Sequence, residues 1–233
     1  MNTDLGPAAL ARLLQLASPA LPVGAFSYSQ GLESAIDAGS VHDSLSAQRW
    51  IADHLELVLA RYEAPVYAQA HALWHAKDVA QLTALNTTFV ATRESSEPRA
   101  ETLQVGYAYT AWIRQVPELS ESERARLDDL LGNTQLSAPV AAAIAAASLR
   151  LDVRAGLTGY LFGFLENQVM VLAKALPLGQ IAGQRLLLRL ASKLNRVVDR
   201  VLALPEEEQA TAAPMLAILS MQHETQYSRL FRS

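Results

Sequence analysis

The stretch LSAQRWIADHLELVLARY, residues 45–62, decides how the chain is read. Trp50, Ile51, His54, Leu55, Val58, Leu59 and Tyr62 recur at intervals of three and four, while Arg49, Asp53 and Glu56 fall on other faces. That spacing gathers apolar side chains on one side of a helix and is incompatible with the alternation of a half-buried strand. Pro65 is expected to end or kink this helix, because proline lacks the N–H and its ring collides with the preceding turn.

Working outward, the same helical period recurs almost everywhere. Asp78 with Gln81, and Ser120 with Glu123, have the spacing of helix-opening capping boxes. Pro98 suits a first helical turn and leads into Leu103, Tyr107, Thr110 and Arg114. Gly106 stands among large side chains there, and Gly156, Gly159 and Gly163 lie on a later helix. Both patterns predict close approach of a neighbouring backbone. The run APVAAAIAAASL from Ala138 is the most apolar, but it falls short of the ~20 residues a membrane span requires. No segment alternates as a strand would. The expectation is an all-α protein, one compact domain over 1–233 of roughly ten helices, with a flexible C-terminal tail. Residues 1–20 and 222–233 are the candidates for mobile ends.

Apolar residues make up 51% of the 233 and charged ones 18%, with a formal net charge of −4. Such a balance does not favour nucleic acid, so electrostatic contacts must come from local patches. There are no cysteines, which removes disulfides and thiolate chemistry together. The opening residues carry Asp4 and Arg12 where a secretory signal would be unbroken and apolar, so a cytoplasmic location is expected.

Candidate chemistry is thin. His71 and His75 in HALWH share a helix face, but the glutamate of a zinc-hydrolase helix is missing, and they remain weak metal candidates. Ser27 and Ser29 in GAFSYSQG could serve a hydrolase with Glu33 as orienting group, yet neither sits in a G-x-S-x-G turn between strand and helix. PLGQIAG from Pro177 lacks the lysine and glycine spacing of a phosphate loop. Arg185, Arg189, Lys193, Arg196 and Arg200 line one side of a helix whose other side holds Leu187, Leu190, Ala191, Leu194, Val198 and Val201. That stripe is either a solvated face or a surface for an acidic partner. Glu94, Glu97, Arg99 and Glu101 crowd a helix start, where carboxylates favour the dipole. The ending MQHETQYSRLFRS invests in aromatic and arginine side chains, types that dominate binding hot spots. A tail ordered by a partner and one docked on its own domain fit it equally.

Four segments then stand out in order: LPVGAFSYSQGLE (21–33), RESSEPRAETLQVG (93–106), ENQVMVLAKALPLGQIAGQ (166–184) and HETQYSRLFRS (223–233). In that order and spacing they resemble the urease accessory protein UreF family over essentially the whole chain. The resemblance implies an all-helical, cytoplasmic, non-enzymatic protein, usually a homodimer. It would bind UreD (UreH in some organisms), recruit the GTPase UreG and dock on apo-urease to assist GTP-dependent nickel insertion. No tightly bound cofactor is implied, since nickel is handled by the assembled complex, and neither nucleic acid nor membrane is a partner. Contact residues expected on this basis are Tyr28, Gln30, Gly31 and Glu33 in the first segment and Lys174 and Gln180 around PLGQ. Arg189 and Lys193 of the stripe join them, with His223, Glu224, Arg229, Phe231 and Arg232 in a tail ordered by UreD. The alternative is a nickel metallochaperone acting directly through His71 and His75, with His223 as a third ligand.

Overall fold

The computed structural model describes residues 5–93, 95–210, 213–224, 226–227 and 229–232. Among them are twelve α-helical segments and no strand. These are α1 (Pro7–Ala17), α2 (Leu32–Asp37), α3 (Ser44–His54), α4 (Ala64–Ala76), α5 (Val79–Ala91) and α6 (Ser96–Gln115). They continue with α7 (Glu121–Asn133), α8 (Ala138–Ser148), α9 (Val153–Ala175), α10 (Gln180–Ala191), α11 (Leu194–Ala203) and α12 (Pro214–His223).

The alanine run becomes α8, at the centre. Every residue from Pro139 to Ser148 is buried, as expected of a helix apolar all round. Methyl side chains leave room for α4 and α6 to pack closest, with α9 and α1 also in contact. The loop entering α8 crosses α6 at Gly106, where an added Cβ would stand 2.8 Å from the carbonyl carbons of Leu136 and Ser137. The predicted close backbone is therefore there. Buried Asn86 of α5 pins the same loop, donating to the Gln135 carbonyl at 2.9 Å and accepting the Ser137 N–H at 2.7 Å. Thr102 of α6 accepts the Ala138 N–H at 3.0 Å, so two neighbouring helices satisfy the start of α8 where Ser137 makes no side-chain cap.

Three local expectations need correction. Pro65 neither ends the helix nor forces a break: residues Leu55–Glu63 wind as a π-helix joining α3 to α4, and the wider turn accommodates the ring. Gly156 and Gly159 face side chains rather than backbone, namely Tyr67 and Ala146 for the first and Leu13 of α1 for the second. The basic stripe does not ride one helix, because Ser192 and Lys193 separate α10 from α11. Its apolar side is nonetheless continuous, with Leu187, Leu190, Leu194, Val198 and Val201 buried. Both expected caps form, the Ser120–Glu123 box with both of its bonds and Asp78 through acceptance of the Gln81 N–H. In the N-terminal segment residues 7–17 are the packed helix α1, while 1–4 lie outside the described residues.

Glu123 of that box also accepts two bonds from Arg150, at 2.6 and 3.1 Å, tying α7 to the end of α8. The Arg150 hydrogen bonds, with the Ser120 donors, bring its carboxyl down to about 2 from 4.5. A depressed carboxyl contributes stability that is complete above its unfolded value and disappears as pH falls through the folded one. Denaturation midpoints should thus fall between pH 4.5 and about 2 in the native chain, with a shallower fall in Glu123→Gln. Gly106→Ala should cost roughly 1–3 kcal/mol in urea denaturation, since a backbone cannot step aside as a side chain can.

Candidate functional site

The first of the four segments is a loop bent by three left-handed residues. Gly24, Gln30 and Gly31 have φ of 73°, 55° and 81°. The positive φ at Gly31 favours glycine, and an added Cβ there would also come within 2.7 Å of Leu216 Cδ1 on α12, which would have to shift. The turn at 30–31 sends the chain into α2 with Glu33 facing inward, only 6% exposed. Helix α9 holds the loop from behind: Asn167 donates to the Tyr28 carbonyl at 2.9 Å and Gln168 to the Ser29 carbonyl at 3.1 Å. From α6, Gln104 accepts the Tyr28 hydroxyl and Glu101 accepts Gln30 Nε2 at 2.7 Å. Burial pushes the Tyr28 hydroxyl above its ordinary pKa, which keeps it a donor.

The described tail residues fold back onto this loop. Glu33 accepts the backbone N–H of Leu230 at 2.6 Å and of Phe231 at 3.0 Å. The Arg232 N–H reaches the Ser27 carbonyl at 2.9 Å. His223, with no exposed surface, lies between two carboxylates, Nδ1 2.8 Å from Glu97 and Nε2 3.2 Å from Glu33. Arg229 donates to the other oxygen of Glu97 at 2.8 Å. Glu224 accepts the Ser96 N–H and hydroxyl, at 2.9 and 2.7 Å, closing the open end of α6. Those donors hold its carboxyl below the usual range. Lys174, at the end of α9, sits 5.2 Å from the Phe231 ring centroid. The alternative of a tail docked on its own domain is the one the structure adopts.

All four segments singled out in the sequence therefore meet at one junction. Tyr28, Gln30, Gly31, Glu33, Lys174, His223, Glu224, Arg229, Phe231 and Arg232 belong to it. Gln180, Arg189 and Lys193 do not; they are exposed on and after α10. Tyr28, Glu33, His223 and Phe231 are turned inward, so in this conformation they join loop to tail instead of facing outward. The outer surface is carried by Tyr227, fully exposed, with Leu230 and Tyr107 about two-thirds exposed. Glu97, Gln104, Asn167 and Gln168 were not singled out individually. The carboxylate at the start of α6 was legible, but a dipole role accounted for it. Glu94 lies outside the described residues.

The other candidates resolve simply. Ser29 is buried and its hydroxyl accepts the Glu33 N–H at 3.3 Å. His71 and His75 do lie side by side, with ring centroids 4.8 Å apart and planes tilted by 56°, but His71 Nε2 is 3.0 Å from the Leu151 carbonyl and so carries its proton toward that oxygen. Burial lowers the His71 pKa, and among the described residues no third metal-ligating side chain joins the pair to make a metal site. Both nitrogens of His223 are engaged by carboxylates. A cavity of about 170 Å³ lies behind the loop, lined in part by Glu63, Arg93, Asn167 and buried His54, whose pKa burial brings down to about 4.

This is a helical protein whose candidate site is an internal ionic clasp joining both chain ends. The UreF family model matches residues 41–191. The chain is 46% identical over 225 residues to a urease accessory protein UreF of Janthinobacterium sp. (strain Marseille), covering 97% of this chain and 98% of that one. It is 49% identical over 226 residues to a protein of the same name from Azoarcus sp. (strain BH72), covering 96% and 95%. The chain belongs to the UreF family of urease accessory proteins. No helix among the described residues is long and apolar enough to cross a membrane.

Glu33→Ala should strand Nε2 of His223 and two backbone N–H groups in the interior. A loss of about 3 kcal/mol in denaturant unfolding is expected, together with faster proteolysis of the tail.

Proposed function

We propose that the chain is a non-catalytic assembly factor for the urease nickel centre. It binds UreD (UreH), recruits the GTPase UreG, and in that complex, as a cytoplasmic homodimer, assists GTP-dependent nickel insertion into apo-urease. What carries this reading is similarity along nearly the full chain, extending on both sides of residues 41–191, to proteins named urease accessory protein UreF.

The docked tail supports a division of labour. Tyr28, Glu33, His223 and Phe231 build the junction from inside, while Gln30, Gly31, Lys174, Glu224, Arg229 and Arg232 set the shape and charge of its rim for UreD. Exposed Tyr227 and Leu230 supply the apolar and aromatic anchors that such interfaces need. Arg185, Arg189, Lys193 and Arg196 are exposed, with no ion pair among the described residues, and together with Gln180 they form a second surface suited to an acidic partner.

Urease activation from apo-urease, UreD, UreG, nickel and GTP should require this chain; full activation without it overturns the reading. Tyr227→Ala with Leu230→Ala should reduce UreD capture at least tenfold at unchanged stability, as loss of two central anchors implies. Arg189→Glu with Lys193→Glu should slow association with the acidic partner, most at low salt, and equal rates at all salt concentrations would return the stripe to plain solvated surface.

A further inference from the structure

Helix α9 keeps a glycine where neither conformation nor packing asks for one. Gly163 lies in mid-helix, its φ is outside the left-handed region, and a Cβ built on it would meet nothing within 4 Å. Glycine weakens a helix interior relative to alanine, so this turn is less stable than it need be. Gly156 and Gly159 differ, each being pressed by side chains. What Gly163 borders is the cavity behind the loop, which it lines together with Tyr160, Phe164 and Asn167 of the same helix face.

At about 170 Å³ the cavity slightly exceeds the ~150 Å³ that accommodates benzene in a protein interior. It is partly open to solvent, and most of its wall is apolar, from residues such as Leu16, Val23, Phe26, Val58 and Val105. Three polar atoms of its lining residues have no hydrogen-bond partner in the protein: Asn167 Oδ1, His54 Nδ1 and Arg93 Nε. Asn167 and His54 are only 4% and 8% exposed, and a polar atom orphaned at such depth costs free energy until something bonds it. The Asn167 amide cannot reverse to hide its oxygen, because Nδ2 donates to the Tyr28 carbonyl. The carboxylates of the wall are already engaged, Glu63 by the Tyr160 hydroxyl at 2.6 Å and Arg93 at 3.6 Å, Glu101 by Gln30. Burial keeps the His54 ring neutral. An amide oxygen, a neutral imidazole nitrogen and one N–H therefore lack partners, and these call for hydrogen bonds, not for a counter-ion.

We propose that this cavity is a binding site for a small neutral molecule, an apolar body of about benzene size carrying one hydroxyl or primary amide. The apolar wall takes the body, Asn167 Oδ1 accepts from the polar group, Arg93 Nε or His54 Nδ1 donates to it, and Gly163 leaves the room. Water would meet the polar atoms alone, whereas such a ligand also covers the apolar wall. Leu216 and Ser220 of α12 complete the lining, so an occupant braces the loop and the last helix from beneath. The site belongs to this chain alone and stands or falls independently of the partner assignments above.

The test is titration of the full chain with phenol, which has this size and a neutral hydroxyl, and with benzene, which lacks the hydroxyl, followed by amide shifts in NMR. Phenol should give saturable shifts at Val105, Gly159 and Gly163, and should bind about tenfold more tightly than benzene, which leaves the orphaned atoms unpaired. Benzoate, similar in size but charged, should bind more weakly than phenol. Gly163→Leu, whose side chain occupies the space, should abolish saturation while amides of α8 such as Ala142 keep their shifts. Gly163→Ala should raise the midpoint of urea denaturation, since the added methyl meets no atom. Should the leucine variant weaken the fold, the native chain still decides the matter through the three probes. No saturation, saturation only at amides away from the cavity wall, or phenol binding no tighter than benzene or benzoate would overturn the site. So would undiminished phenol binding by a folded Gly163→Leu chain.

Discussion

A carboxylate taken out of water must be met by donors, and that of Glu33 is met by the far end of the chain. Residue 33 accepts from residues 223, 230 and 231, across some 190 positions of sequence. Little else in the fold spans such a distance with so few atoms. Loop 21–31 has no regular structure beyond one 3₁₀ turn, and the tail after α12 has none among its described residues. Each is held in place by the other and by what both meet on α6 and α9.

The frame that makes this meeting possible is set by α8. Because seven of its eleven side chains are methyl groups, α4, α6 and α9 can crowd one axis. Gly106 lets the entrance of α8 lie directly on α6, fixing that helix along its length. The first turn of α6 then offers Ser96 and Glu97 to the tail, and its third offers Gln104 to Tyr28. Helix α9, also packed against α8, turns Asn167 and Gln168 to the loop backbone. Changes at the central helix should therefore be felt at the junction without touching it.

Periodicity made the helices legible, since three-to-four-residue spacing depends only on local sequence. It failed where a neighbour overrides local geometry. The π-helix before Pro65 and the break at 192–193 both preserve an apolar face while altering the winding, so the pattern of burial carried no trace of either. The junction was legible in parts. Residues such as Glu33 and His223 stood out because a carboxylate or imidazole among turn residues is conspicuous. Gln104, Asn167 and Gln168 did not, because an amide inside a helix looks like any solvent-facing residue until its long-range partner is known. Glu97 was visible but already explained by the helix dipole, and a sufficient local account concealed a distant one.

The same division between inner and outer residues governs how the junction responds to change. Tyr28, Glu33, His223 and Phe231 are inward, so truncating any of them disturbs the loop, the tail and the rim at once. Lost partner binding in such a variant would measure disordered scaffolding as well as lost contact. Tyr227, Leu230 and Tyr107 are outward, and changing their side chains removes surface while leaving the clasp bonded. Leu230 makes the distinction sharpest: its backbone N–H serves Glu33 from within while its side chain faces solvent. One residue thus contributes to the fold through its main chain and to the surface through its side chain, and substitution separates the two roles.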